Sequence, residues 1–62
     1  MDTVQRQELN GETIVACGLL FHRCIFYDCV FEDVGCVYVD CVFFGDAPKN
    51  SRLIYCKLVI DL

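Results

Sequence analysis

The chain has few cations, one histidine and no Cys-x-x-Cys pair, and each shortage argues against a class of function. Five Lys and Arg stand against nine Asp and Glu among 62 residues, so the formal net charge is -4. Direct binding of DNA or RNA is not expected, because phosphate contacts need cationic side chains. Without closely spaced ligand pairs the six cysteines do not predict a zinc site, and we expect neither a metal nor a cofactor.

The sequence also has no basic segment followed by an apolar run near its start, the pattern typical of a secretory signal. The apolar stretch that begins at Thr13 is interrupted by His22, Arg23 and Asp28, so it falls short of the ~18 uncharged residues of a membrane span. An intracellular protein with reduced thiols is therefore expected. The alternative is that the six cysteines pair into disulfides.

Cysteine recurs along the chain at regular intervals. The steps between successive cysteines are seven, five, seven and five for Cys17, Cys24, Cys29, Cys36 and Cys41, which gives a repeat of twelve residues. In four units that begin at Glu12, Cys24, Cys36 and Ser51, the sixth place is always cysteine, and the third and eighth places are always apolar. Because closely similar repeats usually stack on one another, the pattern predicts one domain with a repeat region over residues 12–62 and an N-terminal cap over residues 1–11.

Most of the repeat consists of five-residue phrases, such as Cys24 to Asp28 and Cys29 to Asp33. Positions one and three of a phrase share one face of a strand, but an odd period would move the next pair to the opposite face of a straight strand. A chain that turns a corner between phrases can bury both pairs, which predicts an all-β coil of short strands. The alternative is a small antiparallel β-meander with a hairpin turn at residues 32–35.

The run from Phe21 to Asp33 resembles the pentapeptide-repeat family, whose units carry a small residue two places before a central Leu or Phe. The resemblance extends from Cys17 to Leu62. It implies a right-handed, four-sided β-solenoid with about twenty residues per coil, and hence about two coils in this chain. Residues 46–50 depart from the pattern, and a loop or a distorted face is expected there.

The cysteines are expected to be buried small thiols that fill space beside phenylalanine rings. A weaker hypothesis is a thiol enzyme in which His22 activates Cys24, since residues two apart on a strand point to the same side. The chain lacks an orienting carboxylate motif and a glycine-bearing oxyanion turn, and His22 is better interpreted as a solvated corner residue. We therefore predict a protein that is not an enzyme and has no catalytic residue.

Acidic and β-branched residues are the candidates for partner binding. Between Arg23 and Lys49 every charged residue is acidic, and the outward second position of the phrases is apolar. The candidate residues are Asp28, Glu32, Asp33, Asp40, Asp46, Ile25, Val30, Val37 and Val42. We expect Asp28, Asp33 and Asp40 to point outward from corners as a band of carboxylates. The alternatives are that the acids only solubilise the chain, and that Val4 and Leu9 cover the apolar positions.

The functional prediction is a non-enzymatic, acidic DNA mimic that inhibits a nucleic-acid-handling complex. Pentapeptide-repeat proteins include DNA mimics that act on DNA gyrase, and the chain is also similar to small acidic anti-CRISPR proteins of phages. The short coil favours a blocker of target DNA binding by a CRISPR effector in the cytoplasm of a bacterial host. The alternatives are a gyrase-type inhibitor and a structural module that dimerises through its solenoid faces.

Overall fold

The computed structural model describes residues 1–60, and these form ten short strands connected by bends. The strands are β1 (Thr3–Gln5), β2 (Glu8–Asn10), β3 (Thr13–Ile14), β4 (Leu20–His22), β5 (Ile25–Tyr27), β6 (Val30–Phe31), β7 (Val37–Val39), β8 (Val42–Phe44), β9 (Arg52–Ile54) and β10 (Lys57–Val59). Among residues 1–60, no helix has the length and apolar character to cross a membrane.

Each strand pairs in parallel with the strand one coil further along the chain. The described strands make a sheet in the order β1-β4-β7-β9, a second in the order β2-β5-β8-β10, and a two-stranded sheet of β3 and β6. Parallel strands of this kind require the chain to wind around an axis, because a hairpin would pair neighbours antiparallel. The predicted β-solenoid is confirmed, and the antiparallel meander is wrong.

The coil is shorter than the resemblance implied. Thr3 lies beside Leu20 and Leu20 beside Val37, which are 17 residues apart in each case. Val37 then lies beside Arg52, 15 residues further on. The solenoid consequently has about three coils, where about twenty residues per coil and two coils were expected. The segment expected to be a cap contributes β1 and β2 to the first coil, at one end of both four-stranded sheets.

The corners of the coil are marked by residues with positive φ. They fall into three columns, in which successive members are one coil apart. The first column holds Arg6, Arg23, Asp40 and Tyr55, the second Gly11, Asp28 and Gly45, and the third Gly18 and Gly35. The non-glycine corner residues have φ of 51° to 57°. Successive corners are five residues apart from 23 to 28 and from 35 to 40, and seven residues apart from 28 to 35. The coil is therefore three-sided, not four-sided, and the twelve-residue sequence repeat is the sum of one long and one short side.

The side whose corners are seven residues apart, here called the long side, comprises the six residues between them, 12–17 in the first coil and 29–34 in the second. It carries the β3–β6 pair and a further parallel bridge between Cys17 and Val34. In the third coil the corresponding segment is shorter by two residues, and residues 46–50 contain no strand. The expected departure from the repeat in this segment is confirmed, and it explains why the last coil has 15 residues.

The interior is a column of aromatic rings surrounded by thiols. Phe21 stacks on Tyr38 with ring centroids 4.6 Å apart, and Phe26 stacks on Phe43 at 5.1 Å. The thiols of Cys24, Cys29, Cys36 and Cys41 are buried, and each lies within hydrogen-bonding distance of backbone carbonyl oxygens. Four cysteines thus occupy the predicted interior positions. Cys17 is exposed and Cys56 half-buried, and all six are free thiols.

Val4 and Leu9 also belong to the interior. They align with Phe21 and Phe26 and pack against the core. Side chains that point inward cannot cover outward positions such as Ile25 on the same wall. The alternative, in which Val4 and Leu9 cover the outward apolar residues, is wrong.

Candidate interaction surface

Two of the predicted corner carboxylates are where the sequence placed them. Asp28 and Asp40 are exposed, with φ of 51° and 55°. They stand in different columns, however, and Asp40 follows Arg23 in its own column. Because neighbouring coils are about 4.8 Å apart, that column carries a cation in the coil next to the Asp40 carboxylate. The corners therefore do not form one continuous band of negative charge.

Asp33 was expected to point outward, and this placement is wrong, because the residue is 2 % exposed. Its Oδ2 accepts hydrogen bonds from the Tyr38 hydroxyl at 2.9 Å and from the Ser51 hydroxyl. Its Oδ1 has no hydrogen-bond partner among the described residues. Burial, followed by the bond to Asp33, raises the pKa of Tyr38.

The inward position of Asp33 follows from the length of its side. Along an extended stretch, alternate residues share a face, and Cys29, Phe31 and Asp33 all point inward. Counting a five-residue phrase instead places Asp33 at a corner. The extra residues Val34 and Gly35 before the next cysteine were the sequence signal for a longer side, and they would have shown that Asp33 lies inside the coil.

The remaining acidic candidates lie on or beside the long side. Glu32 and Asp46 are exposed, and Asp46 Oδ1 accepts the backbone N–H of Ala47 at 3.0 Å. Glu12, which was not among the predicted site residues, is also exposed. It belongs to the first coil, and its carbonyl oxygen accepts the N–H of Val30 in the second coil at 2.9 Å. Lys49 is an exposed cation in the loop of the same side. The long side is thus mainly acidic.

The apolar candidates divide between the sides of the coil. Val30 is 54 % exposed on the long side, whereas Ile25, Val37 and Val42 are half-buried on the two short sides. Two further valines of the long side, Val15 and Val34, are 74 % and 59 % exposed, and the sequence did not single them out. The most exposed of these valines therefore lie on the long side, among its carboxylates.

A groove lies at the corner that contains Asp28. Its volume is about 410 Å³, and it is lined by Tyr27, Asp28, Phe44, Gly45, Val59 and Ile60. The rings of Tyr27 and Phe44 are stacked on the outside of the coil with centroids 4.8 Å apart and planes inclined by 10°. A Cβ at Gly45 would lie 3.0 Å from Asp28 Oδ1, so the glycine leaves room for the carboxylate. We call this feature the corner groove.

The hypothesis that His22 activates Cys24 is wrong in its geometry. His22 lies on β4 beside the buried Phe21 and points outward, whereas Cys24 is fully buried. Arg23, with a positive φ, stands between them and reverses the alternation. Burial also raises the pKa of the Cys41 thiol to about 12, which disfavours the nucleophilic thiolate.

In the part of the chain that the structure describes, no group of three or more His, Cys, Asp or Glu side chains could hold a metal ion. The distinctive external features of residues 1–60 are thus the corner groove and the mixed acidic and apolar long side. The chain matches no protein-family model, and comparison with curated proteins and with solved structures also gives no match.

Proposed function

We propose that the protein is a non-enzymatic acidic inhibitor that binds a basic, nucleic-acid-binding surface of another protein through the corner groove. The observation that supports this proposal most directly is the exposed Asp28 carboxylate beside the stacked rings of Tyr27 and Phe44. A carboxylate next to an aromatic face is complementary to an arginine side chain. Arginine side chains also hold phosphates in the DNA-binding grooves of proteins.

The chemistry of arginine fits both parts of the groove. A planar guanidinium can stack on an aromatic face and at the same time donate paired hydrogen bonds to a carboxylate. Lysine can form the ion pair but cannot stack as a plane. We therefore expect the groove to prefer arginine over lysine.

The backbone at Asp28 supports a role outside the fold. Its column holds glycine in the neighbouring coils, Gly11 and Gly45, and glycine adopts positive φ without strain. A side chain in this conformation costs about 1–2 kcal/mol, less for aspartate than for most residues. The carboxylate of Asp28 forms no hydrogen bond that would offset this cost within the described chain. Such local strain is often found at functional positions.

The surroundings of the groove extend the negative charge. Asp46 follows Gly45 of the groove immediately, and Glu32 lies on the adjoining long side. Together with the net charge of -4, these carboxylates attract a cationic surface over several ångströms and speed its association. The exposed valines of the long side supply apolar contact area for the same partner.

The proposed target follows from the resemblance of this chain to two groups of proteins. Pentapeptide-repeat proteins include DNA mimics, and small acidic proteins of phages include anti-CRISPR factors. A chain of this size is suited to compete for part of a DNA-binding groove, and a CRISPR effector complex in the bacterial cytoplasm is the target that we propose. A gyrase-type target is the second candidate, favoured by the solenoid fold.

The test is a competition assay in which fluorescence anisotropy reports binding of labelled target DNA to a purified CRISPR effector complex or, separately, to DNA gyrase. The protein is expected to displace DNA from the effector, less strongly as salt rises. Asp28→Asn should weaken inhibition by about tenfold, because a hydrogen bond to a charged group contributes ~1.5–3 kcal/mol. Asp2→Asn changes the charge equally but lies far from the groove in sequence and coil, and it serves as the matched control.

Three outcomes would contradict parts of the proposal. Equal inhibition by Asp28→Asn and the protein without substitutions would show that the corner groove is not the contact. Inhibition of gyrase alone would replace the proposed target by the second candidate. Absence of inhibition of both enzymes at low salt would reject the inhibitor function.

A further inference from the structure

The two ends of the solenoid present open sheet edges. Within the described chain, β1 and β2 are the first strands of the two four-stranded sheets, and β9 and β10 are the last. Every second backbone N–H and C=O of an edge strand has no partner in its own sheet and can pair with another strand. Each end of the coil thus offers two parallel strands as a template for further stacking.

Both ends also present residues of the interior columns. At the C-terminal end, Leu53 is 41 % exposed and Leu58 is 50 % exposed, although they continue the columns of Tyr38 and Phe43. At the N-terminal end, Val4 and Leu9 occupy the same columns in the first coil and are half-buried. The apolar interior is therefore incompletely covered at each end.

Within the edge strands of the two four-stranded sheets, the charges at the two ends are of opposite sign. Glu8 begins a column that continues through Ile25 and Val42 and ends at Lys57. The neighbouring column runs from Thr3 to Arg52, and Asp2 precedes its first residue. The first coil therefore contributes carboxylates at the edge where the last coil contributes cations.

We propose that a second copy of the chain stacks head to tail on the first, with β1 on β9 and β2 on β10 in the register that relates successive coils. In this register Leu9 covers Leu58, Val4 covers Leu53, and Glu8 lies beside Lys57. Opposite charges on adjacent strands stabilise their pairing.

The corner column gives the same alignment independently. Tyr55, 87 % exposed, is its last residue and Arg6 its first, so the junction places the guanidinium of one copy against the phenol ring of the other. This is a cation–π contact. Stacking with like ends together would bring Lys57 toward the cations of the partner's edge, which is unfavourable. The head-to-tail contact leaves one open end on each copy, so it leads to chains of copies and not to a closed dimer.

Exchange of the charges at the junction tests the proposal by sedimentation velocity over a concentration series. The protein is expected to show concentration-dependent assembly. Glu8→Lys and Lys57→Glu each place like charges at the junction and should each weaken assembly by about tenfold. In an equal mixture, chains in which the two variants alternate have opposite charges at every junction, so assembly should return.

Glu32→Lys and Arg23→Glu carry the same changes of charge in the second coil, and they are the matched controls. Both should assemble like the protein without substitutions. Circular dichroism checks that each variant is folded, which is expected because Glu8 and Lys57 are exposed. The proposal would be overturned if the protein is still a monomer at ~1 mM, a concentration that corresponds to very weak association. It would also be overturned if neither junction variant weakens assembly, or if their mixture does not regain it.

Discussion

Replacement of Asp33 by alanine should destabilise the protein more than any surface substitution. Asp33→Ala removes the acceptor of the Tyr38 and Ser51 hydroxyl groups. Tyr38 is fully buried, so its hydroxyl cannot turn to water instead. A buried polar group left without a partner costs ~1–3 kcal/mol, and the two hydrogen bonds to the carboxyl group are also lost. We expect a total loss of about 2–4 kcal/mol.

This loss is large relative to the whole stability of the chain. At ~0.05–0.15 kcal/mol per residue, a protein of this length has a free energy of unfolding of roughly 3–9 kcal/mol. Urea unfolding followed by circular dichroism should therefore show a markedly lower midpoint, and the melting temperature should fall by at least about 10 °C.

Asp33→Asn is the informative control for this prediction. The asparagine carbonyl can accept the hydrogen bonds of Tyr38 and Ser51, and the carboxylate oxygen that is lost has no hydrogen-bond partner among the described residues. We expect its stability to be within about 1 kcal/mol of the original protein. Asp33→Ala with a loss below about 1 kcal/mol, or Asp33→Asn as damaging as Asp33→Ala, would refute the assigned role of the carboxylate.

Two further predictions concern stability at high pH and the strain at the corners. The Cys41 pKa of about 12 exceeds its ordinary value of 9.0, so the unfolded state loses this proton first; stability should fall by up to about 1.4 kcal/mol per pH unit between pH 9 and pH 12. Cys41→Ala should reduce this slope in urea titrations and Cys17→Ala should not, and equal slopes would contradict the assignment. Tyr55→Gly should raise the free energy of unfolding of the monomer by about 0.5–1 kcal/mol, because a tyrosine at φ 53° is strained. Urea titrations at low protein concentration measure this change. A decrease would show that the tyrosine ring stabilises its own copy.

The coil could be predicted from the sequence because its interior repeats chemically. Small thiols and large rings alternate at positions such as Cys24 and Phe26, and an odd period forces the chain to turn if both neighbouring pairs are buried. The physical argument requires corners but does not fix how many close one coil. That number depends on the angle at each corner, and hence on the backbone conformation of Arg23, Asp28 and Gly35, which the residue types do not specify. The number of sides was therefore predicted incorrectly.

The candidate surface was harder to predict than the interior. Exposure of Asp28 and Asp40 followed correctly from their place at corners, whereas Asp33 belongs to a side two residues longer than its neighbours. A shift of two residues moves a corner, and with it the direction in which an acidic residue points. The corner groove joins Tyr27 to Phe44, residues of successive coils, so it could be found only once the coil length was known.

The division between inward columns and corner columns explains how one fold can carry a surface of variable chemistry. Side chains at inward positions must pack on apolar side chains of the neighbouring coils, as Phe26 stacks on Phe43. Corner positions need only tolerate a positive φ, and a single column accordingly holds arginine, aspartate and tyrosine. Because the corner side chains contribute little to the core, their identity is free to follow the requirements of a partner. Substitutions at Asp28 should therefore change binding while leaving the fold intact, which is the condition for testing the proposed function by mutation.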